Sequence, residues 1–107
     1  MSATYWLQLD VGGPEPVIFW DCNITYNLGK MLRAAGFPAW EALRGAPASE
    51  TGGMLAKVAD TLEGNPDHFK TFNPPNGWGD YDGCVRWVQD FADACASYPR
   101  ATIGASL

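Results

Sequence analysis

Histidine is almost missing from this chain, with His68 the only one in 107 residues. The three cysteines, Cys22, Cys84 and Cys95, include no CxxC pair, so the ligand pattern of a structural zinc site is not there and no metal is expected. A serine or cysteine triad lacks its base for the same reason. His68 follows Asp67 at the start of a short helical pattern, where a solvated or capping role is expected instead. Cations are few and scattered: Lys30, Arg33, Arg44, Lys57, Lys70, Arg86 and Arg100 stand against 12 acidic side chains, for a net charge of −5. They cannot neutralise a run of phosphates, so nucleic acid is not an expected partner. Long apolar runs are lacking too. No stretch approaches the roughly 20 residues of a membrane span, and Met1 to Asp10 has neither the basic start nor the apolar run of a signal peptide. The expected setting is the cytoplasm, with no membrane partner. Neither a Walker loop nor GxGxxG is present, since Gly12, Gly13 and Gly29 have the wrong spacing, and no cofactor is expected.

What remains is an ordinary globular composition, 47% apolar and 18% charged, in a chain long enough to bury roughly two-thirds of its unfolded surface. One core, and so a single domain over residues 1–107, is predicted. Tyr5, Leu7, Leu9 and Val11 alternate with Trp6, Gln8 and Asp10, the pattern of a strand with one buried side. Breakers from Gly12 to Pro16 follow, and the apolar run Val17 to Trp20 then reads as a buried second strand of a hairpin. Leu28, Met31, Leu32 and Ala35 fall at helical spacing between Thr25 as N-cap and Gly36 as stop. Pro38, Trp40 and Leu43 suggest one extra turn. The stretch Gly45 to Gly53, small, polar and interrupted by Pro47, reads as a mobile loop. Met54, Leu55, Val58, Ala59 and Leu62 make the stripe of a second helix, and Asn65 with Pro66 opens a short third one. Asp80 caps the longest pattern, Tyr81 to Ser97, where Cys84, Val85, Val88, Phe91, Ala92 and Cys95 share a face. Cys84 and Cys95 then lie about 16 Å apart along one helix, too far for a disulfide, and the cysteines are expected to stay reduced. Ala101, Ile103, Ala105 and Leu107 alternate as a third strand. The expected fold class is α+β: a small, mostly antiparallel sheet of about three strands with three or more helices packed on one face.

Two constellations bear on chemistry. Asp21, Asn23, Thr25 and Asn27 occupy every second position where the second strand runs into the first helix. Period two puts them on one side of extended backbone, where they either converge on a small polar ligand or cap the junction. The second is the run Phe72 to Tyr81. Its Asn76, Trp78, Asp80 and Tyr81 form either an aromatic platform with polar rims or a rigid turn with Trp78 as a core plug. Both segments begin helices that must lie on one sheet, so they are expected to be neighbours, and an anionic or carbonyl-bearing ligand would suit them. Asp80, Tyr81, Asp82 and Gly83 resemble part of a calcium loop, but its twelfth place falls on Gln89 rather than a bidentate acid. Asp10 and Asp21, on neighbouring strands, are a candidate carboxylate pair.

The segment Asn23-Ile24-Thr25-Tyr26-Asn27-Leu28-Gly29-Lys30-Met31 is followed by Phe69, Phe72-Asn73-Pro74, Asn76-Gly77-Trp78-Gly79, Tyr81 with Gly83, and Tyr98-Pro99. In that order these motifs resemble a family of small uncharacterised proteins of tailed bacteriophages and bacterial genomes. The family has no assigned reaction. It usually carries histidine where this chain has Tyr26, and acidic residues after the tryptophan where this chain has Arg44, Gly45 and Ala46. The resemblance implies that any chemistry resting on that histidine is lost here. It points to a phage or prophage accessory protein that binds a small molecule or a host protein, in the host cytoplasm if phage-encoded. A small hydrolase or nucleotide-processing enzyme using the polar cluster, and a structural homo-oligomer, are the alternatives.

Overall fold

The computed structural model describes residues 1–107. The antiparallel ladder of β1 (Ser2–Leu9) and β2 (Val17–Thr25) is the predicted hairpin, and β3 (Thr102–Ser106) pairs antiparallel with the other side of β1. The strand order is therefore β2-β1-β3, with β1 central. Four helices complete the fold: α1 (Gly29–Ala34), α2 (Ala48–Gly64), α3 (Pro66–Lys70) and α4 (Tyr81–Ser97). Three-residue and four-residue 3-10 turns precede α1 and α2, at Tyr26–Leu28 and Trp40–Leu43. This is an α+β fold with a three-stranded antiparallel sheet.

Alternation along β1 decides which face is buried. Ala3, Tyr5 and Leu7 point inward with Ile24 of β2 and Ile103 of β3, and meet Leu55, Val58 and Leu62 of α2 and Cys84, Val88 and Phe91 of α4 in one core. Tyr5 stacks with Phe91, Trp87 and Phe37 at centroid distances of 5.4, 6.1 and 6.4 Å, while its hydroxyl donates to the Trp40 carbonyl at 2.7 Å. Burial pushes this phenol well above its ordinary pKa. The outer face of the sheet is mainly polar, with Trp6 and Ile18 its large side chains. Trp6 lies over Gly104, where an added Cβ would collide with the indole. Its N–H donates to Gln8 Oε1 at 2.8 Å.

Two expectations are corrected. The run Val17 to Trp20 is not a buried strand start: the register slips between Leu7 and Gln8, so Leu7 faces Trp20 and Gln8 faces Ile18, leaving Phe19 as the extra residue of a bulge. Ile18 turns to the outer face and is 56% exposed. Phe19 leans on the Tyr98 ring, 4.6 Å between centroids. The predicted loop Gly45 to Gly53 is also overturned, because α2 begins at Ala48 and includes both Gly52 and Gly53. Tertiary packing outweighs helix propensity here. Gly52 lets α2 approach α4 so closely that a Cβ would lie 3.3 Å from Cys95 Cβ. Ahead of the helix, Gly45 N–H donates to the Ile103 carbonyl at 2.7 Å, Ile103 N–H to the Ala46 carbonyl at 2.9 Å and Ala48 N–H to the Ala101 carbonyl at 2.9 Å. These bonds close the outer edge of β3.

Candidate functional site

The two motifs meet. Gly79 takes φ +99°, open to glycine alone, and its Cα packs so tightly that a Cβ would lie 2.9 Å from Leu28 Cγ and 3.0 Å from Thr25 Cγ2. Thr25 ends β2, and its hydroxyl accepts from the Asn27 backbone N–H at 3.3 Å and the Asn27 side-chain amide at 3.0 Å. Asn23 lies on the outer face of the sheet and donates to the hydroxyls of Ser2 and Thr4 at 3.0 and 2.8 Å. Asp21, opposite Trp6, is exposed on that same face. Asp10 lies beyond the end of β1, roughly 13 Å from Trp6 along the strand, and its carboxylate accepts from Gly12 N–H at 2.8 Å. The two carboxylates therefore do not pair.

In the second motif, Asp80 caps α4 by accepting from Gly83 N–H at 2.8 Å. The segment that looked like a calcium loop is the first turn of that helix. Tyr81 is buried, with its hydroxyl donating to the Leu62 carbonyl at 2.8 Å. Trp78 points away, 67% exposed, so the two rings share no platform and Trp78 does not plug the core. Asn76 Oδ1 accepts from Trp78 N–H at 3.0 Å, and Asn73 Oδ1 accepts from Tyr81 N–H at 2.8 Å.

Between the motifs lies a cleft of about 550 Å³, bordered by Tyr26, Asn27 and Lys30 on one side and by Phe72, Asn73 and Asn76 on the other. Its polarity follows from the hydrogen bonds already made. The carbonyl oxygens of Asn73 and Asn76 accept from backbone N–H groups, which leaves their amide NH2 ends without a partner on the cleft that Lys30 also borders. No carboxylate borders the cleft. A cavity rich in donors with one positive charge suits an anion or a carbonyl oxygen. Lys30 and Asn73 were not singled out in sequence as binding groups, although Lys30 falls one helical turn after Asn27, which is signal enough to place both on one side.

The remaining titratable groups are dispersed. His68 is exposed against Phe69 and Phe72, with centroids at 4.9 and 5.5 Å. No three His, Cys, Asp or Glu side chains gather as a metal ligand set would. All three cysteines are free thiols. Burial pushes Cys22 and Cys84 up to about 12 and Cys95 up to about 11, so none is a ready nucleophile near neutral pH. Comparison with family models, with curated protein sequences and with solved structures finds no match.

Proposed function

We propose that this protein acts by binding, and that the cleft between Tyr26–Lys30 and Thr71–Asn76 holds a small anionic or carbonyl-bearing ligand, free or displayed on a host protein. The setting suggested by the motif resemblance is a phage or prophage accessory protein. One observation carries the reading: the Lys30 ammonium and the unengaged NH2 ends of Asn73 and Asn76 are donors on a cleft of about 550 Å³ without a carboxylate. A volume in that range suits a small molecule. Native mass spectrometry of the protein purified from a cytosol is the test. A retained mass that disappears in Lys30→Ala and Asn76→Ala supports the reading. A ligand-free spectrum, joined by no amide shifts at Asn27, Lys30 or Asn76 on titration with phosphate or acetate, defeats it.

A further inference from the structure

We propose that the open edge of β2 and the facing side of α4 form a docking groove for an extended, cationic segment of a partner protein, which adds to the sheet as a fourth strand. The groove is separate from the Lys30 cleft and does not depend on it. Trp20, Asp21 and Cys22 border a cavity of about 400 Å³ together with Trp87, Asp90, Asp93 and Tyr98. Asn23, Ile24 and Thr25 border the next one, about 340 Å³, together with Gly83, Arg86, Trp87 and Asp90. Successive strand residues point to opposite faces, so six in a row can line one groove only along the strand's edge. Trp87 and Asp90 belong to both cavities, which makes the groove continuous. Its two walls match in length, at roughly 20 Å for six extended residues and roughly 21 Å for the helical stretch Gly83 to Ser97.

The edge is unclaimed. None of the backbone hydrogen bonds outside the regular elements reaches Trp20 to Thr25, so alternate N–H and C=O groups there have no protein partner. Edge strands beside a helix take up extended peptides by main-chain pairing, and the flanking side chains choose the sequence. Here the choice is for positive charge, because Asp90 and Asp93 on the α4 wall and Asp21 at the strand edge border the groove against Arg86 alone. Trp20 and Tyr98 add ring surface on which the stems of lysine or arginine can lie, over the edge of the buried Trp87. A second copy of this chain fits poorly. Pairing β2 with β2 would set the same three carboxylates of each copy against one another, in a chain of net charge −5.

The test is a titration of the ¹⁵N-labelled protein with a capped eight-residue peptide of alternating threonine and lysine. Its counterparts replace lysine by glutamate, or carry N-methyl groups on alternate residues. The lysine peptide should shift the amides of Trp20 to Thr25 and the Trp87 indole, while the glutamate and N-methylated peptides should leave them in place. The double variant Asp90→Asn, Asp93→Asn should weaken binding about tenfold, as two exposed pairs allow. Four results overturn the proposal: no shifts at millimolar peptide, equal binding of the glutamate peptide, equal binding of the N-methylated peptide, or shifts confined to Asn27, Lys30 and Asn76. A dimer whose β2 amides are already protected without peptide overturns it as well, by naming a second copy as the occupant.

Discussion

The two edges of the sheet are built from similar strands and end in opposite states. Along β3 the chain closes its own edge, since Gly45, Ala46 and Ala48 exchange backbone hydrogen bonds with Ala101 and Ile103 on the way into α2. Along β2 only the first half is defended. Pro16 precedes the strand and the bulge at Phe19 twists its start, but from Trp20 to Thr25 the side of the strand turned away from β1 has no backbone partner. An exposed edge is a standing template for another chain. A protein that covers one edge with the short stretch from Gly45 to Ala48 and leaves the other beside a groove has its interaction surface set by connectivity rather than by strand composition.

The sharpest way to break this comparison is to thin both edges. Ile103→Ala, in the closed edge at 1% exposure, is expected to cost about 3 kcal/mol of stability. Ile18→Ala, at the bulged start of β2, is expected to stay within about 0.5 kcal/mol. Urea denaturation of both variants measures the difference, and equal losses would mean that β2 is as well packed as β3. Hydrogen exchange probes the same contrast at the backbone. The amides of Gly45, Ala48 and Ile103 should exchange about two orders of magnitude more slowly than the outward-facing alternate amides between Asp21 and Thr25. Uniform protection across both sets would place an unseen cover on β2.

Much of this was legible in the sequence. The hairpin, the α4 face and the third strand followed from period-two and helical spacing, and the meeting of the two motifs followed from both helices having to share one sheet. The failures share a cause. Gly52 and Gly53 read as loop because propensity does not report that α4 comes within touching distance of α2. Ile18 read as buried because a bulge reverses sidedness without leaving a mark in the pattern. Tyr81 and Trp78 looked alike as aromatic neighbours. Only the helix that begins between them sends one into the core and leaves the other outside.

The thiols carry the comparison of the open edge with the interior into pH, and there the two agree. Burial raises Cys22 from 9.0 to about 12 and does the same to Cys84. The unfolded chain therefore loses these protons first. Their contribution to stability is fully present below pH 9 and is lost as pH climbs toward 12. The urea midpoint should be level from pH 7 to 8 and fall from pH 9 to 10, before the tyrosines add to the decline. Cys22→Ala should make that fall shallower, with Cys84 and Cys95 left to carry the rest. If it does not, water already reaches the thiol through the groove and the strand edge is more open than its packing against Trp87 implies.

The smallest effect is expected at Trp78, where the open edge ends. Gly79 is pressed onto Thr25 and Leu28, so the turn is held at the last residue of β2 by the glycine next to Trp78 rather than by the indole itself. The ring is 67% exposed, and the Trp78 backbone N–H, which Asn76 accepts, survives any side-chain change. Trp78→Ala should therefore shift stability by no more than about 0.5 kcal/mol, where a buried tryptophan would cost about 3 to 5. Gly79→Ala is the informative partner. It adds a methyl where φ is +99° and Leu28 is 2.9 Å away, and should cost about 2 kcal/mol or more while leaving Trp78 untouched. Thermal melts of the two variants decide it: a large loss for Trp78→Ala would mean that the ring folds back over the end of β2, and the edge would then be closed at that end by the chain itself.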